Sequence, residues 1–190
     1  MKDKQMDRIA GALYGVAVGD ALGGPVEFMG PDQIAAKYGH LDKMVGGGWL
    51  SLAPGEITDD TQMTLCVAEG IIENPEEPIE AIGRRFIAWG NSGPKDIGAA
   101  CAASIWNAQK AGGPSPSPRQ WNDAAFKYQH DRGKSVEGNG ALMRTVYPGL
   151  YYRECSAAER IAMRIGQMTH AGYKSTEACI LYTRMINLLT

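Results

Sequence analysis

The sequence has little net charge and little cysteine, and each shortage excludes a class of protein. Its formal charge is −2 over 190 residues, and its lysines and arginines are scattered, so it presents no basic face to nucleic acid or to an anionic membrane. The cysteines show no C-x-x-C spacing and stand in apolar, helix-like surroundings, which predicts reduced core residues rather than a zinc site or a disulfide framework. They are Cys66, Cys101, Cys155 and Cys179.

Long apolar runs are also missing. No stretch approaches the length of a transmembrane helix, and acidic residues interrupt the mildly apolar N-terminal segment. Asp3, Asp7 and Asp20 make that segment a poor signal peptide. We therefore expect a cytoplasmic protein with no membrane segment.

The third shortage is of strand patterns, since neither period-2 alternation nor a run of β-branched residues occurs. An apolar fraction of 44% and a charged fraction of 21% are typical of soluble globular proteins. A chain of 190 residues can bury one core. We therefore predict one all-α domain over residues 1–190, with "GGPSPSP" at residues 112–118 as a surface loop within it.

Apolar residues at helical spacing predict where the helices lie. The first helix ends near Asp20 and the second starts at Pro31. Further helices are predicted over residues 61–72, 79–89, 96–113, 119–130, 156–169 and 175–190. Ser156 with Glu159 has the pattern of a capping box at the start of one of them.

The last predicted helix is apolar on more than one side, which normally indicates burial from several directions. Its apolar residues are Ile180, Leu181, Met185, Ile186, Leu188 and Leu189. We expect a second copy in a homo-oligomer, another chain, or a further part of a longer fold to cover this helix.

Two adjacent aspartates stand where a helix begins, in "GEITDDTQMTL" at residues 55–65. One carboxylate is explained as a cap, because it accepts from free backbone N–H groups and the helix dipole favours it. A second one adds repulsion, which Mg²⁺ or Mn²⁺ would turn into binding, because these cations prefer carboxylate, hydroxyl and water oxygens. From Thr58, Asp59 and Asp60 alone, a cap and a metal site both remain open.

Two more carboxylates lie in segments rich in glycine and proline. Glu27, in "GDALGGPVEF", is flanked by apolar residues that would partly desolvate it. That setting is typical of a general base or a gate, although an exposed loop residue fits the same pattern. Asp96, in "SGPKDIG", is placed to open a helix, either as a functional carboxylate or as a simple N-cap.

A glycine-flanked loop, "GNGALMR" at residues 138–144, leads into a predicted helix with Arg144 one turn in. Exposed backbone N–H groups at such a helix start would hold a phosphate. The segment lacks the P-loop lysine and follows no strand, so it is neither a P-loop nor a dinucleotide fingerprint. His170 lies between two predicted helices, where it either contacts a ligand or makes a structural hydrogen bond.

Five segments occur in the order and rough spacing of one known family. They are "GALYGVAVGDALGGPVEF", "GEITDDTQMTL", "SGPKDIG", "GNGALMR" and "THAGYKSTEA". Over nearly the whole chain this set resembles the ADP-ribosylglycohydrolase family, including its dinitrogenase reductase-activating glycohydrolase branch. The resemblance implies a compact fold of orthogonal α-helices. It also implies metal-dependent hydrolysis that releases ADP-ribose from a modified protein side chain or a small-molecule conjugate.

The resemblance also implies roles for the carboxylates. Thr58, Asp59 and Asp60 resemble the first half of a two-metal site for Mg²⁺ or Mn²⁺. Glu27 resembles a catalytic or gating glutamate, and Asp96 resembles an aspartate that handles the proton. Which carboxylate is the acid and which the base stays open.

The glycine loop at residues 138–140 matches the family, whereas one family motif is missing. Gly138, Asn139 and Gly140 resemble the loop that holds the diphosphate, and His170 is assigned to substrate binding with them. Family members ordinarily run longer and close the metal site with a D-x-D-T motif, which this sequence lacks. The resemblance therefore implies a C-terminally short fold with half of the metal ligands. Two hypotheses follow: a hydrolase, or a relative that binds ADP-ribose without turnover.

Overall fold

The computed structural model describes residues 2–132 and 137–190. In these ranges the chain forms nine α-helices and no β-strand, which confirms the all-α prediction. Two 3-10 helices, Gly24–Val26 and Leu142–Arg144, connect some of them. In chain order the α-helices are α1 (Lys2–Gly23), α2 (Pro31–Tyr38), α3 (Asp59–Glu73), α4 (Ile79–Asn91), α5 (Ala99–Gly112), α6 (Pro118–Arg132), α7 (Val146–Tyr151), α8 (Cys155–Gln167) and α9 (Tyr173–Leu189).

The hydrophobic core lies between α3, α4, α5, α6 and α8. Phe86 of α4 and Trp121 of α6 meet edge to face there, with 6.3 Å between ring centroids. Gly70 lets α3 approach α4 closely, because a Cβ atom at this position would lie 2.4 Å from Cγ1 of Ile82. The core gives a densely packed base for the start of α3. Its large, fully buried apolar side chains include Met63, Val67, Ile71, Ile82, Phe86, Trp121, Ile165 and Met168.

The first helix is largely exposed. From residue 4 onward, only Ala21 of α1 is buried. By length and composition Lys4–Val26 is apolar enough to cross a membrane, so the prediction that no run approaches this length is wrong. Signal sequences and core helices of soluble proteins share these properties, so the segment is weak evidence for a membrane location.

The last helix is covered on one side within the described chain. It packs along α7 and α8 and buries Ser175, Cys179 and Thr183. Its large apolar residues are mostly exposed, so residues 2–132 and 137–190 do not bury it from several directions. The exposed ones are Leu181, Met185, Leu188 and Leu189. The expectation that another chain or segment covers α9 stays a prediction.

The capping box predicted for α8 does not form. The helix begins at Cys155, so Ser156 lies inside its first turn, and the residue before it makes no side-chain cap. Glu159 instead forms an ion pair with Arg184 of α9. A tertiary contact has replaced the local one.

All four cysteines are free thiols, as predicted. Cys101 and Cys179 are buried, whereas Cys66 and Cys155 are half-buried, so only two of them are full core residues. Burial raises the pKa of Cys66 to about 11 and also raises the pKa of Cys101. These two thiols are therefore protonated and unreactive near neutral pH.

Candidate active site

One cavity of about 450 Å³, within the range of small-molecule sites, brings together most residues that the sequence singles out. An adjoining cavity of about 340 Å³ is lined by Thr58 and Asp20, and it shares Glu27, Asp60, Asp96 and Asn139 with the first. The candidate residues thus lie together although they come from distant parts of the chain. Those that line the larger cavity are Glu27, Asp59, Asp60, Asp96, Gly138, Asn139, Gly140 and His170.

Capping does not account for the aspartate pair. Asp59 and Asp60 are the first two residues of α3, and Thr58 before them makes no side-chain cap. Asp20 of α1 caps the helix instead, because the backbone N–H groups of Thr58 and Thr61 donate to its carboxylate at 2.9 and 3.1 Å. No role for Asp20 follows from the sequence, where the only signal is a carboxylate before the glycine turn of "GDALGG".

Five carboxylates crowd this part of the cleft without a cationic partner. In residues 2–132 and 137–190 no ion pair involves Asp20, Glu27, Asp59, Asp60 or Asp96. Desolvation, and then the charges of its neighbours, raises the pKa of Asp60 to about 6. Burial likewise raises the pKa of Asp59. The site carries excess negative charge that a bound cation would offset.

The oxygen donors at the start of α3 fit part of a coordination shell. Thr58, Asp59 and Asp60 supply one hydroxyl and two carboxylates, which are donors that Mg²⁺ and Mn²⁺ take. Neither at this site nor anywhere else in the described residues do three Asp, Glu, His or Cys side chains form a group that could hold a metal ion. Because Mg²⁺ commonly keeps several waters, three protein oxygens suit half a site rather than a complete one.

Glu27 is held by a tryptophan that the sequence analysis did not single out. The indole Nε1–H of Trp49 donates to Oε2 of Glu27 at 2.8 Å, and the ring of Phe28 lies 5.7 Å from that of Trp49. The loop carrying Trp49 can approach because a Cβ atom at Gly48 would lie 2.9 Å from Cα of Pro25. The only sequence signal is a single aromatic residue after three glycines in "VGGGWLSL".

Asp96 does not open a helix, contrary to the prediction. Helix α5 begins at Ala99 and is preceded by Gly98, so Asp96 lies in the loop before it. Burial, and then the charges of Asp59 and Glu27, raises the pKa of Asp96 to about 6. A carboxyl group with this pKa exchanges its proton near neutral pH.

The glycine loop does not lead directly into an α-helix, so the prediction of a helix start at this loop is wrong, whereas phosphate binding there stays a prediction. Residues 138–140 are followed by one 3-10 turn, Leu142–Arg144, and α7 starts only at Val146. A single turn has a small dipole. An anion at this loop would depend on backbone N–H groups and nearby side chains rather than on a helix dipole.

Arg144 is fully buried beneath this loop instead of facing the cavity. Its guanidinium group donates to the carbonyl oxygens of Gly140 and Ile165 and, at 2.7 Å, to the hydroxyl of Thr169. That hydroxyl lies 2.8 Å from Nδ1 of His170. Burial, and then the charge of Arg144, lowers the pKa of His170 to about 4, so the ring is neutral at pH 7.

The histidine ring contacts the glycine loop directly. A Cβ atom at Gly138 would lie 3.1 Å from Nε2 of His170, and one at Gly140 would lie 3.2 Å from Cε1. The missing side chains at both positions therefore leave room for the ring. The two segments that the sequence assigned to substrate binding touch each other.

Over residues 1–190 the sequence matches the ADP-ribosylglycohydrolase family. The chain belongs to this family. This family member is 36% identical over 184 residues to ADP-ribosyl-[dinitrogen reductase] glycohydrolase of Rhodospirillum rubrum, covering 96% of this chain and 58% of that protein. It is 37% identical over 190 residues to ADP-ribosylarginine hydrolase Tri1 of Serratia proteamaculans (strain 568), covering 99% of this chain and 49% of that one.

A solved structure also resembles this ADP-ribosylglycohydrolase-family chain. It is named ADP-ribosylglycohydrolase-related protein complex, and the match has a TM-score of 0.75 at 29% identity. The match covers 96% of this chain and 56% of that chain, which confirms the fold prediction. The chain spans about half the length of the curated relatives described above.

Proposed function

We propose that the chain provides the cleft of a hydrolase that removes ADP-ribose from an ADP-ribosylated acceptor. One observation carries the proposal: a single cavity combines a cluster of unpaired carboxylates with a glycine loop and a neutral, buried histidine. The carboxylates are suited to cleaving a glycosidic bond, and the glycine loop with the histidine is suited to binding a diphosphate. Membership of the family supports the same reaction class.

The glycine loop and His170 would hold the diphosphate. Residues 138–140 offer backbone N–H groups, and a neutral ring adds a donor without a net charge. Because Arg144 only donates, Thr169 accepts from it and gives its own proton to Nδ1 of His170. That arrangement puts the ring proton on Nε2, the atom facing Gly138.

The carboxylates would carry out the hydrolysis. Thr58, Asp59 and Asp60 would hold Mg²⁺ or Mn²⁺, which when bound supplies Lewis-acid chemistry. Trp49 occupies one oxygen of Glu27, which leaves the other oxygen to take a proton from the attacking water. Asp96, with a pKa of about 6, gives a proton to the departing acceptor group.

ADP-ribosylated arginine in a protein is the first acceptor to test. The relative from Serratia is named an ADP-ribosylarginine hydrolase, and the relative from Rhodospirillum is named for dinitrogen reductase. We place the reaction in the cytoplasm and propose no role for nucleic acid. The acceptor enters here as a proposal because this chain spans only about half of each relative.

The test is release of ADP-ribose from arginine-modified and serine-modified peptides, with Mn²⁺ or with EDTA. We expect release from the arginine peptide that requires Mn²⁺ and is lost in Asp96→Asn. Asp123→Asn, which changes an exposed carboxylate of α6 outside the cavity, serves as the control and should keep activity. Equal release in EDTA would contradict the metal-dependent reaction.

A relative that binds ADP-ribose without turnover is the second candidate. The described residues contain no group of three Asp, Glu, His or Cys side chains arranged to hold a metal ion, and this observation favours it. Calorimetry decides between the two candidates: ADP-ribose binding without release under any condition supports the non-catalytic relative, and no binding at millimolar ADP-ribose excludes both.

Calorimetry with Mn²⁺ tests the proposed metal ligands, because Asp59→Ala and Asp60→Ala should each weaken Mn²⁺ binding. Unchanged affinity in both variants would overturn the metal assignment.

A further inference from the structure

We propose that Asp20 is a positioning residue that fixes the direction of the Thr58 hydroxyl and so makes Thr58 an oxygen donor for a divalent cation. This inference rests on the proposed metal role of residues 58–60. It concerns how the donor is prepared rather than which residues are donors.

Asp20 accepts four hydrogen bonds from one turn of chain. Its Oδ2 atom takes the backbone N–H groups of Thr58 and Thr61 at 2.9 and 3.1 Å and the hydroxyl of Thr61 at 2.6 Å. Its Oδ1 atom takes the hydroxyl of Thr58 at 2.7 Å and no other donor among the described residues. The two oxygens therefore have different roles: Oδ2 caps α3, and Oδ1 accepts from the hydroxyl of Thr58.

That single bond settles what Thr58 can offer to a ligand. A threonine hydroxyl has one proton and two lone pairs, and an ionised carboxylate can only accept. Because the proton of Thr58 is engaged by Asp20, the oxygen presents only lone pairs to its other neighbours. A cation binds to lone pairs, and a hydroxyl proton turned toward it would oppose binding.

The charge of Asp20 is otherwise unfavourable at this place. Asp20 lines the same cavity as Glu27, Asp60 and Asp96, and neighbouring carboxylates repel each other. A neutral asparagine would cap the same N–H groups without that repulsion. What the carboxylate adds is a second acceptor oxygen, and that oxygen is used on Thr58.

The alternative is that Asp20 only docks the exposed helix α1 onto α3. Docking predicts a loss of stability and no particular link to the Thr58 hydroxyl. Positioning predicts that the effects of changing Asp20 and Thr58 on cation affinity are coupled. Mn²⁺ affinity therefore separates the two explanations without any measurement of turnover.

The decisive variant is Asp20→Asn. The amide keeps one acceptor oxygen for the cap, but its NH₂ group must donate to Thr58, which turns the hydroxyl proton toward the cleft. We expect calorimetry to show Mn²⁺ binding about 10- to 100-fold weaker, the usual effect of losing an outer partner of a metal ligand. Thr58→Val should weaken binding similarly, and the double variant should be no weaker than the weaker single one.

Two controls make the result specific. Thr61→Val removes the other hydroxyl bond to Asp20 and should leave Mn²⁺ affinity within about 3-fold, because Thr58 keeps its partner. Thr58→Ser keeps a hydroxyl and should bind like the wild type. This serine and valine pair tests whether the Thr58 hydroxyl is a donor. If Asp20→Asn fails to fold, which melting followed by circular dichroism would show, Asp20→Ser takes its place, because it keeps one capping oxygen and has none for Thr58, and it should weaken Mn²⁺ binding to the same extent.

The outcomes distinguish this inference from the proposed function. If Mn²⁺ binds and Asp59→Ala weakens it, but Asp20→Asn and Thr58→Val act additively or have no effect, the positioning role is wrong and the metal site stands. If the wild type and Asp59→Ala bind Mn²⁺ equally, or not at all, the metal site is wrong and the positioning role falls with it. Coupled effects of Asp20→Asn and Thr58→Val support both.

Discussion

The cleft has two walls, the carboxylate wall at the start of α3 and the loop wall of residues 138–140, and they are stabilised by residues of opposite charge and different burial. The carboxylate wall is held from outside, by Asp20 on the exposed helix α1, and it gathers five carboxylates with no ion pair in the described chain. The loop wall is held from inside, by Arg144 buried under residues 138–140. The first wall concentrates negative charge that a bound cation would offset. The guanidinium behind the second already donates to two carbonyl oxygens and a hydroxyl, and of its nitrogens only Nε lacks a partner among the described residues.

The buried guanidinium of Arg144 forms no ion pair with a carboxylate in residues 2–132 and 137–190. Its donors meet carbonyl oxygens, including that of Ile165 in the last turn of α8, where the helix dipole is negative. The ring of Phe86 lies 5.1 Å from the guanidinium carbon. The positive charge behind the loop would attract an anion, so the walls suit opposite charges.

Among changes that test the difference between the two walls, we expect the largest loss of stability at Arg144. Arg144→Met should lower the free energy of unfolding by about 3 kcal/mol, because it removes the donor to the Gly140 carbonyl and the donor to the buried hydroxyl of Thr169. Urea unfolding measures it. Arg119→Met, at an exposed position of α6, should stay within about 0.5 kcal/mol of the wild type. A loss below about 1 kcal/mol at Arg144 would show that the loop wall does not depend on it.

Helix positions and the aspartate pair follow from the sequence because both are local patterns. Period-3.6 spacing is visible within a dozen residues, and so is a carboxylate pair before an apolar run. Asp20 and Thr58 are 38 residues apart, so their hydrogen bond depends on how α1 packs against α3. No local pattern could assign the cap of α3 to a different helix.

The sequence did not show the surroundings of Asp96 or Arg144, and both omissions have the same physical cause. Asp96 has the local pattern of a helix start, yet α5 begins three residues later, and tertiary surroundings rather than capping raise its pKa. The sequence places Arg144 one turn after the glycine loop and gives no sign of its burial, because arginine is rarely buried. Its burial depends on carbonyl groups of α8 that only the folded chain brings near.

A smaller effect is expected at the carboxylate wall and depends on pH. The pKa of Asp60 is raised from 3.8 to about 6, so the folded state holds this proton more tightly than the unfolded state. Its ionisation therefore lowers stability as pH rises between these values and has little effect at lower pH. Asp60→Asn should raise the free energy of unfolding by about 1–2 kcal/mol at pH 7.5, after discounting for partial exposure, and by nearly nothing at pH 4.

Adding Mn²⁺ gives the matching control for Asp60. A cation that binds only the folded state stabilises the wild type, so the lead in stability of Asp60→Asn at pH 7.5 should shrink and then reverse as the Mn²⁺ concentration rises. Thermal unfolding with and without the ion measures this change. If Asp60→Asn is less stable than the wild type in EDTA at pH 7.5, repulsion among the carboxylates does not destabilise the folded state.

The smallest effect is expected at the loop wall, where the geometry is already formed. Gly138→Ala would place a Cβ atom 3.1 Å from Nε2 of His170, so the ring must shift by a few tenths of an ångström. Since Gly138 is exposed, stability should hardly change, but ADP-ribose should bind about 5-fold more weakly by calorimetry, equivalent to about 1 kcal/mol. Gly15→Ala, whose added Cβ meets nothing within 4 Å on α1, should bind like the wild type. If Gly138→Ala also binds like the wild type, the Nε2 face of His170 does not contact the diphosphate, and the preformed wall serves stability alone.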